Sequence, residues 1–240
     1  MTRIAITLNQ TIRDSVSKFD YIFEKILLQE INNSKQYDLT NTNNDEIVEN
    51  NLNVFDNIGS NLFFEHLDEN YKIDKDKRNQ LFPLSKSLDF FNVSNTKKFE
   101  DDTELYHILY DDHPFEIFGT APLFHPKNFT QLNSLCASLI KDGSTVTIVS
   151  NEKRRGKSAS LYFLGSNDFQ GNNIKFLYDY SKIWEIYDTI VTADPYILNT
   201  KPNNSDKISI KIKTESNIES KSTLTFDTFE DFYTQYTKEN

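Results

Sequence analysis

MTRIAITLNQTIRD, residues 1–14, is the stretch on which the fold turns. Its apolar run, Ile4 to Leu8, has the length of a short buried strand. The run delivers a polar tip at Thr7, Asn9 and Thr11. From Ile12 to Ile31 the pattern then changes, with Val16, Phe19, Ile22, Phe23, Ile26 and Leu27 at helical spacing. Strand, polar turn and long helix open an α/β unit, and the carboxyl end of such a strand is where an α/β sheet holds its ligands. The tip raises a question of chemistry, because it is polar throughout yet has no carboxylate.

Outward from this opening, residues 32–61 become rich in Asn and Asp with scattered apolar residues, a composition that favours turns and local side-chain hydrogen bonds. Aromatic clusters follow, NLFFEHL, FPLSKSLDFF, ELYHILYDDHPFEIFG and APLFHP, separated by charged residues. They predict short helices docking an irregular lobe onto the main core. Regular alternation returns after residue 128. A helix is expected over Phe129–Lys141, closed by Asp142 and Gly143, since glycine supplies the left-handed conformation that ends helices. A β-branched strand is expected over Ser144–Ser150, a helix from about Ser158 to Leu164, and a strand in IKFLYDY. SKIWEIY reads as a short helix, DTIVTAD as a strand ending at Asp194, Ile208–Ile212 as a strand, and Asp227–Tyr236 as a terminal amphipathic helix. Alternating strands and helices imply right-handed crossovers and a largely parallel sheet. The expected fold is α/β, a three-layer, doubly wound, mainly parallel sheet formed by residues 1–31 and 128–240, with an inserted lobe at 32–127. Its core should contain Leu132, Leu135, Cys136, Leu139, Ile140, Val146, Ile148, Ile190 and Ile210.

The totals narrow the function. The formal net charge of -10 repels phosphate backbones, which argues against general nucleic-acid binding. No apolar run approaches the roughly 20 residues that cross a bilayer, and Asn9, Gln10, Arg13 and Asp14 interrupt any secretion-signal core. A soluble protein made in the cytoplasm is expected. The single cysteine, Cys136, falls on the apolar face of its helix and reads as core.

In order and spacing, four motifs at strand ends resemble the haloacid dehalogenase superfamily of phosphotransferases. They are Thr7-Leu8-Asn9-Gln10-Thr11, Ser150, Lys157 and Asp194. The resemblance implies that Thr7 stands at the family's aspartate nucleophile and Asn9 at its general acid, with Thr11, Ser150, Lys157 and Asp194 at the remaining positions. Thr7 brings no carboxylate and Asn9 cannot shuttle a proton, so two catalytic elements, the second alone worth roughly 10²–10⁴ in rate, are missing. Mg²⁺ prefers carboxylate and water oxygens, and of the family's acidic cluster only Asp194 remains. The expectation is a degenerate, non-enzymatic site with no cofactor and no metal. The stretches IAITLNQTIRDSVSKFDYIFEK, KSASLYFLG and ADPYILNTKP ahead of ISIKI also resemble proteins of crAss-like tailed bacteriophages. That resemblance implies a virion component, at the head-to-tail neck or a tail ring, whose partners are other virion proteins and copies of itself.

Each residue also has a plainer reading. Ser150 and Thr11 could hydrogen-bond a bound phosphate, with helix capping the commoner reading; the run Glu152–Lys157 could clamp an anion at a helix start, with a solvated loop the commoner meaning; and Asp194-Pro195 would start a turn. His107, Asp111, Asp112, His113 and His125 match no standard zinc spacing. Trp184 with Ile183, Ile186 and Tyr187 reads as a helix face packed on the sheet. Two rival functions remain open: a magnesium-dependent phosphatase or nucleotidase using Asp194 with Asp111 or Asp112, and an anion or nucleotide sensor without turnover.

Overall fold

A computed structural model describes residues 2–22, 25–26, 106–171, 173–177 and 180–239. The chain divides into two compact units, Met1–Phe19 with Leu84–Asn240, and Asp20–Pro83; the architecture below is that of the first. The Asn-rich segment 32–61 and the first two aromatic clusters lie outside the described residues.

Six strands form one sheet in the order β3-β2-β1-β4-β5-β6, and every neighbouring pair is parallel. They are β1 (Arg3–Thr7), β2 (Thr145–Ser150), β3 (Ile174–Phe176), β4 (Thr189–Thr192), β5 (Ile208–Ile212) and β6 (Leu224–Phe226). The central strands read as near-continuous β-branched and apolar runs because both of their faces are covered. Register places Ala5 between Thr147 and Ile190. Ala5, Val149 and Ile190 share one face, on which Tyr180, Ile183, Trp184, Tyr187 and Ile197 pack. Alternation turns Ile4, Ile6, Val146, Ile148, Val191 and Ile210 to the other face, where they are buried. The result is a doubly wound, parallel α/β sheet with helices flanking it.

Helix α1 begins at Ser15, three residues later than the pattern suggested, and is described over 15–22. Leu8 to Arg13 instead forms a compact turn in which Ile12 N–H and Arg13 N–H both donate to Leu8 O and Gln10 adopts a left-handed φ of 58°. Helix α2 (Asn128–Lys141) buries Leu132, Leu135, Cys136 and Leu139. Gly143, at φ 81°, closes it, and its N–H donates to Ile140 O. Ile140 corrects the expected core: it is 49% exposed, because it lies off the stripe formed by its four neighbours.

Helix α3 spans Arg154–Ser166, so the basic run holds a helix start rather than the commoner solvated loop. Only Ile174–Phe176 of IKFLYDY is a strand, and Tyr180–Lys182 is a single 3₁₀ turn leading into α4 (Ile183–Ile186). Asp194-Pro195 opens a short helix, α5 (Pro195–Asn199), rather than a simple turn. Strand β6 adds an element that the sequence pattern does not show, since Leu224–Phe226 is too short to show a period. The terminal helix α6 runs from Phe229 to Glu239.

The third aromatic cluster folds into two wide helical turns, Ile108–Asp112 and Phe115–Gly119. Their i→i+5 hydrogen bonds, His113 N–H to Ile108 O and Thr120 N–H to Phe115 O, identify them as π-type turns. Both pack on α3. The close approach requires Gly156, because a Cβ there would stand 2.9 Å from the Tyr110 ring.

Candidate functional site

The direction of winding reverses between β1 and β4, and ligands of open α/β sheets bind beyond the carboxyl ends of the strands at such a point. Thr7 is the last residue of β1 and Thr192 the last of β4. Thr7 Oγ1 donates to Thr192 Oγ1 at 2.9 Å and lies 2.8 Å from Thr11 Oγ1. A hydroxyl has one proton, so Thr11 donates to Thr7. Ala193 N–H donates to Thr11 Oγ1 and Asp194 N–H to Thr192 Oγ1. The three hydroxyls are thus a buried hydrogen-bond chain stitching β1 to β4. Thr7 has no base among its partners, so nothing activates it as a nucleophile.

Asn9 turns toward β2. Its Nδ2 donates to Glu152 Oε1 at 2.5 Å, while its Oδ1 accepts from Arg13 Nε at 2.8 Å and from Ser15 Oγ at 3.0 Å. Arg13 and Glu152, whose side chains are both 0% exposed, form an ion pair at 2.7 Å. Arg13 also donates to Phe118 O at 2.7 Å and to Ser160 Oγ at 2.8 Å, which engages four of its five N–H donors. The Phe118 and Phe163 ring centroids lie 5.2 and 5.1 Å from its guanidinium carbon. A buried ion pair survives only when further polar partners satisfy it, and here they come from Asn9 in the turn after β1, the second wide turn and α3.

Asp194 caps α5: its Oδ1 accepts from Tyr196 N–H at 2.8 Å and from Ile197 N–H at 3.4 Å. Ser150 does not cap, in contrast to the plain reading; its buried Oγ has no hydrogen-bond partner, and Lys153 occupies the N-cap of α3. Thr11 likewise bonds Thr7 and Ala193 rather than capping α1. Lys157 holds its ammonium 5.9 Å from the Phe176 ring centroid, at the end of β3. The expected constellation is therefore divided: Thr7, Thr11 and Asp194 meet at the β1–β4 rim, Asn9 joins Arg13 and Glu152, and Lys157 stacks over Phe176. Asp111 binds Arg154 at 2.6 Å and His107 at 2.8 Å, and His113 binds Glu116 at 2.8 Å.

Two phenols belong to the same electrostatic neighbourhood. Burial, followed by the negative charges of Asp194 and Glu152, raises Tyr180 well above the usual phenol range. Burial and Glu152 raise Tyr110 in the same direction. Both stay protonated at neutral pH. Burial lowers the proton affinity of Arg13 and Glu152 opposes the shift, which preserves the ion pair.

The donor set does not fit the magnesium ion that the family resemblance implies. Thr7 and Asn9 are neutral, and the carboxylate nearest Asn9, that of Glu152, is neutralised by Arg13. An added cation would meet the guanidinium. Among the described residues no group of three or more His, Cys, Asp and Glu side chains could hold a metal.

Arg13 and Glu152 went unread in the sequence because charged residues flanking helices usually face solvent. The one signal was Gly156, a glycine inside a helix four residues after Glu152, which marks close packing.

No family model matches the chain, and no curated protein matches it. Among solved structures, a protein of Burkholderia xenovorans LB400 described as a haloacid dehalogenase-like hydrolase aligns with a TM-score of 0.48 at 12% identity. The alignment covers 98% of this chain and 96% of that one.

Proposed function

We propose that this chain is a non-enzymatic structural and interaction protein built on a degenerate haloacid dehalogenase-like framework. One observation carries the reading: the chain's own Arg13–Glu152 pair and a closed hydroxyl chain fill the strand-end site. Thr7 and Asn9, at the positions where the family has its two working carboxylates, use their hydrogen bonds to hold strands and turns together. A phosphatase would need a nucleophile and a proton donor facing substrate, and neither residue supplies one.

The likeness to crAss-like phage sequences extends the reading to a virion component at the neck or a tail ring, made in the host cytoplasm. Its partners would be other virion proteins and copies of itself. Exposed apolar side chains such as Phe115, Leu161 and Tyr162 offer contact surface for such an assembly. Among the described residues no helix is long and apolar enough to cross a membrane.

The test pairs composition analysis of purified particles with a hydrolysis assay on an aryl phosphate. Expected are several copies of the chain per particle and no magnesium-dependent turnover. Turnover abolished by Asp194→Asn would overturn the non-enzymatic reading. Absence from particles, with a monomer in sedimentation beside candidate virion proteins, would overturn the virion reading.

A further inference from the structure

Glu152 lies two residues beyond β2 and next to the N-cap of the 13-residue helix α3, a location that in α/β folds attracts anions. Its Oε1 accepts from the Asn9 amide and from the Arg13 guanidinium. Its Oε2 is buried without a partner, as is the Oγ of Ser150, the residue at the end of β2. The Asn9 amide is oriented to suit this carboxylate, since its oxygen is already taken by Arg13 and Ser15. A strand end, a helix start, a guanidinium, an amide N–H and an adjacent hydroxyl line an oxyanion site in which Oε1 is bound and Oε2 keeps no partner. Its occupant is covalently part of the chain.

From this geometry we propose that the strand-end site is a carboxylate receptor occupied by Glu152, and that removing this side chain opens it to a small monocarboxylate from solution. The proposal deepens the non-enzymatic reading, because an internally occupied receptor is closed to outside anions. Size sets the selectivity. Glu152→Ala deletes four heavy atoms, Cγ, Cδ and two oxygens, which is the heavy-atom set of acetate. Acetate should therefore fill the space, formate should underfill it, and phosphate should be too large.

The experiment follows thermal unfolding of wild type, Glu152→Ala and the double variant Arg13→Met with Glu152→Ala, each in acetate, formate, phosphate or chloride at matched ionic strength. Glu152→Ala should melt below wild type and recover about 4–7 °C at acetate concentrations near twenty times Kd, saturably. Formate should recover less, and phosphate and chloride no more than they give the wild type. The double variant, without the guanidinium, should gain nothing specific. If Glu152→Ala is unfolded at the outset, the same titration is read as acetate-dependent recovery of folded protein in the cold. Glu152→Ala responding to acetate no more than wild type, by melting or by refolding, would overturn the proposal. So would equal rescue of the double variant. This outcome is independent of the hydrolysis assay: wild-type turnover would sink the non-enzymatic reading even if acetate rescued the variant.

Discussion

At residue scale, Asn9 shows how one amide can tie a buried guanidinium and a buried carboxylate together, with its oxygen on Arg13 and its nitrogen on Glu152. An aspartate at position 9 would place a second carboxylate against Glu152 Oε1, where the amide nitrogen now donates at 2.5 Å. Like charges at such distance disfavour ionisation of both. The double change Thr7→Asp with Asn9→Asp should therefore lower the melting temperature in metal-free buffer. It also creates the oxygen ligands that Mg²⁺ prefers, so added magnesium should restore part of the loss, while leaving wild type unmoved. Melting curves of both proteins with and without magnesium check this. Magnesium stabilising the wild type would contradict the poor fit of its donor set. Cys136 shows the opposite case of a reactive group made inert, since burial pushes its thiol up to about 11.

At the scale of elements, the contact between α3 and the wide turns depends on one missing side chain. Gly156→Ala would bring a methyl group to 2.9 Å from the Tyr110 ring and 3.0 Å from Glu152 Cβ. Tyr110 is itself buried and stacked on Phe118, with centroids 5.9 Å apart, so it has little room to yield. Overpacking of this kind costs about 1–3 kcal/mol. Urea denaturation should show that loss, with a slope close to that of wild type. Gly165→Ala, on the same helix with nothing within 4 Å of its Cβ, is the control and should be neutral or stabilising.

At the scale of the whole molecule, the start of β1 is tied to the start of β4 across 185 positions of sequence. Asp188 accepts from the Arg3 backbone at 3.0 Å, from its guanidinium at 2.8 and 3.1 Å, and from Lys207 at 3.1 Å. These bonds, that of the Arg3 side chain foremost, hold its carboxyl below the usual carboxylate range. A carboxyl depressed in the folded state stabilises the fold fully above its unfolded pKa of about 3.9, and the contribution declines as pH falls below that value, disappearing only once pH passes below the depressed folded pKa as well. Wild type should therefore melt higher than Asp188→Asn at pH 7, and the gap should begin to narrow as pH falls below about 4. A gap that stays constant over this range would show that the ionised form contributes nothing. Solvent screens the exposed pair, so the gap should also shrink with added salt.

The sequence by itself determined the α/β class, the parallel sheet, the positions of β1, β2, β4 and β5, and the absence of carboxylates at Thr7 and Asn9. These were legible because strand and helix periods are local, and because a missing functional group is visible without coordinates. Short elements were not: Leu224–Phe226 and Pro195–Asn199 hold too few residues to show a period, and only their neighbours stabilise them. Ile140 departs from the sequence pattern because it lies at the edge of the buried stripe of its helix, where a local period does not show how far coverage extends. What occupies the site was decided only by the tertiary structure. Arg13 and Glu152 are 139 positions apart, and each in its local context reads as a solvated charge. Burial becomes tolerable only where Asn9, Ser160, the Phe118 carbonyl and two aromatic rings converge on the pair, and that convergence is a property of the folded chain.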